Sequence, residues 1–109
     1  MTAARREKIE EMLRDDPDDI FLRYSLALEM EAAGEWQASL DILESLARGT
    51  PAYVPAFQMA AQHLIKQERL TEARAALREG IDAARQQDKS HAAGEMAELL
   101  MSLGEAGEG

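Results

Sequence analysis

At 109 residues and a formal net charge of −9, the chain has the length of one small domain and the wrong sign of charge for nucleic acid, whose phosphates call for clustered Lys and Arg. It has no cysteine, which excludes disulfides and thiolate chemistry and fits a reducing compartment, so the cytoplasm is the expected location. No apolar run reaches the length of a membrane span, the N-terminus lacks a signal-peptide core, and β-branched residues are scarce, which favours helix throughout.

Residues 1–14 read as a first helix, with Thr2 as its cap and Ile9, Met12 and Leu13 as a narrow apolar stripe. Arg5, Arg6 and Lys8 alternate with Glu7, Glu10 and Glu11, the pattern of a solvated face rather than an anion site. Asp15-Asp16-Pro17-Asp18-Asp19 stops this helix and starts the next, because proline disfavours helix before it and aspartates suit a helix N-terminus. The same carboxylates lack the glycine and closing glutamate of a calcium loop, so they read as turn and cap.

Residues 20–33 form a helix that is apolar on two sides. Leu22, Leu26 and Met30 make one line, expected to hold a hairpin together; Phe21, Tyr24 and Leu28 make another, facing either the N-terminal helix or a partner. Gly34 stops it. The next helix, 36–48, is expected to bury Leu40, Leu43 and Leu46, with Ser39 at the point of close approach, and Gly49-Thr50-Pro51 ends it. From Val54, with Pro55 tolerated in the first turn, Phe57, Ala60, Ala61 and Leu64 recur at helical spacing. A break at 66–71 precedes a second run with Ala73, Ala76, Leu77, Gly80, Ile81 and Ala84. A glycine inside a helix costs about 1 kcal/mol relative to alanine, so Gly80 predicts tight packing, against the last helix. Ser90 is the expected cap of that helix, which runs to Leu103 with Ala93, Met96, Leu100 and Leu103 on one line. Residues 104–109 have nothing to bury and are expected to be disordered.

A shift of 34 residues superimposes one hairpin on the other: Pro51 falls on Pro17, Ala61 on Ala27, Leu64 on Met30, Leu70 on Trp36, Ala73 on Ser39 and Leu77 on Leu43. With Phe57, Ala60-Ala61, Leu64, Ala73 and Leu77 at these spacings, and Leu26-Ala27, Met30, Ser39, Leu43 and Pro51 in the upstream copy, the hairpins resemble tetratricopeptide repeats. The chain departs from that pattern at Arg23, at Ser39 and at Glu68, which stands where Gly34 stands upstream; Arg85 occupies the place of a recurring proline. The resemblance implies an all-α, right-handed superhelix of stacked antiparallel hairpins with about six helices, in one domain over 1–103. Its parts are the helix at 1–14, repeats at 18–51 and 52–86, and a capping helix at 90–103.

No catalytic constellation is present. The serines lack a glycine elbow, neither histidine has a triad, the dispersed glycines make no phosphate loop, and His91 with Glu95 gives only two metal ligands. His63 is expected at a helix–helix edge and most methionines in the core. The chain is therefore read as a non-enzymatic module that needs neither metal nor cofactor. The resemblance implies that the inner face of the stack, built by the first helix of each pair, holds a protein or peptide segment. The residues so placed are Phe21, Tyr24, Ser25 and Leu28 upstream and Gln58, Met59, Gln62 and Lys66 downstream. Some members of the family clamp a carboxylate there with paired Lys and Asn; Tyr24, Leu28, Gln58 and Gln62 hold those places here, so that clamp is missing. The alternative is self-association, as a homodimer joined through an apolar edge. Neither nucleic acid nor membrane is an expected partner.

Overall fold

The structure, a computed structural model, describes residues 2–104, with side chains from residue 4 onward. The Thr2 cap and the tail beyond Gly104 lie outside the described side chains and residues. Six α-helices make up the described chain and no strand occurs in it: α1 (Thr2–Asp15), α2 (Ile20–Ala32), α3 (Trp36–Ala47), α4 (Val54–Lys66), α5 (Leu70–Gln86) and α6 (Ser90–Leu103). Each helix packs on its chain neighbours, as short connections between antiparallel helices dictate. The smallest extent, 19 Å, is that of two layers of helices each about 10 Å across.

Three of the five connections are the same turn. Gly34, Glu68 and Asp88 take the left-handed conformation, with φ of 83°, 58° and 56°. In each turn the following amide reaches back to close the preceding helix: Glu35 N donates to Met30 O at 2.9 Å, Arg69 N to Leu64 O at 2.9 Å and Lys89 N to Ala84 O at 2.8 Å. Gly34 and Glu68 lie one repeat length apart, so the two hairpins share their turn geometry even where the residue differs. This turn also displaces the cap expected at Ser90. Lys89 occupies the N-cap position without a side-chain bond, and Ser90 is already helical. At α2 the expected aspartate cap is present, Asp19 accepting from Leu22 N at 2.8 Å. Because a side chain in the left-handed region is strained and glycine there is not, Glu68→Gly is expected to stabilise the protein by about 0.5–1 kcal/mol, read as a rise of a few degrees in melting temperature.

The interior forms two adjoining clusters. One joins α2, α3, α4 and α5 through Ala27, Leu40, Leu43, Leu46, Ala60, Leu64 and Ala73; the other joins α4, α5 and α6 through Phe57, Ala61, Leu77, Ile81 and Met96. Gly80 belongs to the second. A Cβ at that position would sit 2.6 Å from both Met96 Sδ and Phe57 Cβ, so the tight packing expected against α6 involves α4 as well.

Three further details differ from expectation. The face of α2 toward α3 is centred on fully buried Ala27, whereas Leu22, Leu26 and Met30 are only half-buried. Ala27 wins because a small residue lets the helices close until Ser39 Oγ donates to the Ala27 carbonyl at 2.6 Å. Leu22 and Leu26 share the side of α2 on which Glu29 pairs with Arg5 of α1 at 3.8 Å, so that line faces α1. The expected methionine core is realised in Met96, which is fully buried; Met30 and Met59 are half-buried, and Met12 and Met101 are 42% and 80% exposed. Arg6, expected in a merely solvated face, makes a two-bond contact at 2.5 and 3.1 Å with Glu35 in the α2–α3 turn, tying α1 to the stack. That contact raises the guanidinium pKa and lowers the carboxyl pKa.

Candidate functional site

Helix α4 has two opposed sides. Phe57, Ala60 and Leu64 recur at i, i+3 and i+7 and are buried. Gln58, Gln62 and Lys66 recur at i, i+4 and i+8, about half a turn away at roughly 100° per residue, with Gln62 and Lys66 exposed and Gln58 half-buried. On α2 the neighbouring surface carries Phe21, 69% exposed, with Tyr24, Ser25 and Leu28 half-buried beside it. Met59 is half-buried against the first cluster.

The structure joins α2 to α4 on this side at two points. Tyr24 meets Tyr53, just before α4, edge to face at 5.4 Å between centroids and 72° between planes. Lys66 Nζ donates to Glu31 Oε1 at 2.7 Å. Burial raises the Tyr24 phenol pKa, and the lysine lowers that of Glu31. Tyr24 thus spends its ring on Tyr53 and belongs partly to the framework, while Phe21 stands largely in solvent. Neither lies beneath α1, which occupies the other side of α2.

Behind this surface lies a polar contact that departs from expectation. His63, expected at a helix edge, is only 4% exposed. Its Nε2 is 3.0 Å from Ser39 Oγ. Since the single serine proton goes to the Ala27 carbonyl, the ring is the donor and Ser39 accepts from Nε2–H. One chain of bonds therefore links α4, α3 and α2. Burial lowers the His63 pKa, Glu31 opposes this and Lys66 adds to it. A depressed pKa means that the unfolded chain takes up the proton first, so stability is full above the ordinary histidine value of about 6.5 and declines as pH falls through the lower folded value. Denaturant midpoints measured at pH 7.5 and 5.5 should fall on acidification, and His63→Gln should reduce that dependence.

On the far side of α4 a cleft of about 370 Å³ opens between α3 and α5. Its floor is Ala47, Phe57, Ala60, Leu64 and Ala76, and its rim carries Glu44, Glu72, Glu79 and Arg48. Arg69 lies beside it, held over the Trp36 ring at 5.5 Å and bonded to Glu72 at 2.7 and 2.6 Å. Sequence reading missed this cleft, and it missed Arg74, which is almost fully buried in α5. Arg74 donates to the carbonyls of Leu103 and Gly104 at 3.3 Å, where the end of α6 leaves acceptors without helical partners.

His91 and Glu95 form an exposed pair at 3.7 Å. Among the described residues no group of three or more His, Cys, Asp or Glu could hold a metal ion, and no helix is long and apolar enough to cross a membrane. What the geometry offers is two surfaces on opposite sides of α4, one largely uncharged and one rimmed with carboxylates. No family model, no curated protein and no solved structure matches the chain.

Proposed function

We propose that this chain is a non-catalytic interaction module of the tetratricopeptide-repeat type, which holds a segment of a partner protein against the surface of α2 and α4. The observation that carries this reading is Phe21, an aromatic side chain left 69% exposed on the face of α2 that also carries half-buried Tyr24 and Leu28, with exposed Gln62 on the outer face of α4. A surface with an exposed aromatic, half-buried apolar groups and an exposed amide suits a segment that brings both apolar side chains and backbone hydrogen bonds. The duplicated turn at Gly34 and Glu68 supports the repeat assignment, since it repeats at the spacing of the apolar pattern. Phe21 and Gln62 are better probes than Tyr24, whose ring supports Tyr53. Phe21→Ser and Gln62→Ala, made separately, should each melt within a few degrees of the parent and lose the same partner in a pull-down from the native cell. Retention of every partner by both folded variants would reject this surface.

A second reading, self-association as a homodimer, is favoured by Met12, Ile20 and Phe21, exposed by 42%, 45% and 69%. Light scattering on the purified protein separates the two: a dimer that Phe21→Ser converts to monomer supports self-association, and a parent that is already monomeric removes it.

A further inference from the structure

We propose that the cleft between α3 and α5 is a second recognition site, on the side of α4 away from the α2–α4 surface, for a peptide segment that presents an aliphatic side chain flanked by Lys or Arg. The cleft exists because the residues that could fill it are small: Ala47, Ala60 and Ala76 leave the side of Phe57 and Leu64 reachable from outside. Its volume, about 370 Å³, is of the size that takes a few side chains. Water over such a floor gains little, and an aliphatic group that displaces it gains the usual benefit of apolar burial.

The rim decides the sign of the occupant. Glu44, Glu72 and Glu79 border the floor against one lining cation, Arg48. Arg69 holds Glu72 by two bonds, which fixes that carboxylate in place, and its charge also reaches Glu44, so Glu79 is the rim carboxylate that Arg69 offsets least. Glu72 and Glu79 lie seven residues apart on α5, about 10 Å along the axis at 1.5 Å per residue. Residues three positions apart in an extended chain lie about the same distance apart, at roughly 3.3 Å per step. A peptide with basic residues at i and i+3 and an aliphatic residue between them therefore sets one cation near Glu79 and the other toward the Glu72 end of the rim, with its apolar side chain over the floor.

The test begins with a phage-displayed library of random dodecapeptides selected on the full chain, followed by anisotropy titration of the synthetic form of the most enriched sequence. Enriched peptides are expected to carry an aliphatic residue between basic ones and to bind more weakly as salt is raised. Glu44→Gln with Glu79→Gln, and separately Ala75→Leu at the exposed lip of the cleft, should each raise Kd at least tenfold. Phe21→Ser and Gln62→Ala should leave it unchanged, which separates this site from the α2–α4 surface. Enrichment of acidic or uncharged sequences, failure to enrich any sequence, or a Kd indifferent to both cleft variants would overturn the proposal.

Discussion

Ending the chain at Lys89 should produce a protein that aggregates, or one that melts tens of degrees below the full chain. Helix α6 covers the outer side of α4 and α5 with fully buried Met96, buried Ala93 and half-buried Leu100 and Leu103. Burying a side chain of Met96's size contributes about 1.5–3 kcal/mol, and two half-buried leucines together contribute about the same again. A small domain has only about 5–15 kcal/mol in total, so losing α6 removes a large share of it. The loss also uncovers Phe57 and Ile81 and takes away the two carbonyls to which Arg74 donates in α6 and its cap. Circular dichroism melts of the two proteins decide it. Melting within a few degrees of the parent would mean that α6 is not part of the cooperative unit.

Gly80→Ala sets two effects against each other, and packing should prevail. Alanine is the better helix former by about 1 kcal/mol. The added methyl, however, would lie 2.6 Å from Met96 Sδ and from Phe57 Cβ. The sulfur could swing aside in a looser place, but Met96 is fully buried, and a Cβ moves only with its own helix. Overpacking of this kind costs about 1–3 kcal/mol and occasionally more, so a net loss of about 1–2 kcal/mol is expected, with a lower denaturant midpoint. A stabilised variant would show that α4 and α6 can separate at little cost.

The hairpins were legible because their apolar residues recur at helical spacing and because the second copy repeats the first. Gly80 was legible because it stands on the apolar line of its helix beside Ile81, unlike Gly94, which is also helical but exposed with nothing within 4 Å. The rotation of α2 was not. Large residues at 22, 26 and 30 suggested the inner line, while the closest approach was made by Ala27, whose importance lies in what it leaves out. The Ser39–His63 bond escaped for a related reason. Each residue is a polar interruption in an apolar run, and only the packed helices bring the two within 3.0 Å. Arg74 looked like one more surface charge of α5, since nothing nearby in sequence announces that its guanidinium ends at the C-terminus of α6. The cleft is made of missing volume at Ala47, Ala60 and Ala76, and an alanine in a helical repeat gives no sign of whether a neighbour fills the space beside it. On the α2–α4 surface Phe21, Gln62 and Lys66 are exposed, and the contact between Tyr24 and Tyr53 was unforeseen.

Because each helix leans chiefly on the one before and the one after it, the chain can form its structure without first closing any long loop. Such local wiring belongs to proteins that fold in microseconds to milliseconds, and in stacked hairpins order can start at one pair and spread to the next. The α4–α5 pair, which contributes to both interior clusters, is the natural place to start. The first helix, which packs chiefly on α2 and is otherwise held by the Arg6–Glu35 contact, is then the last to arrive and the first to leave.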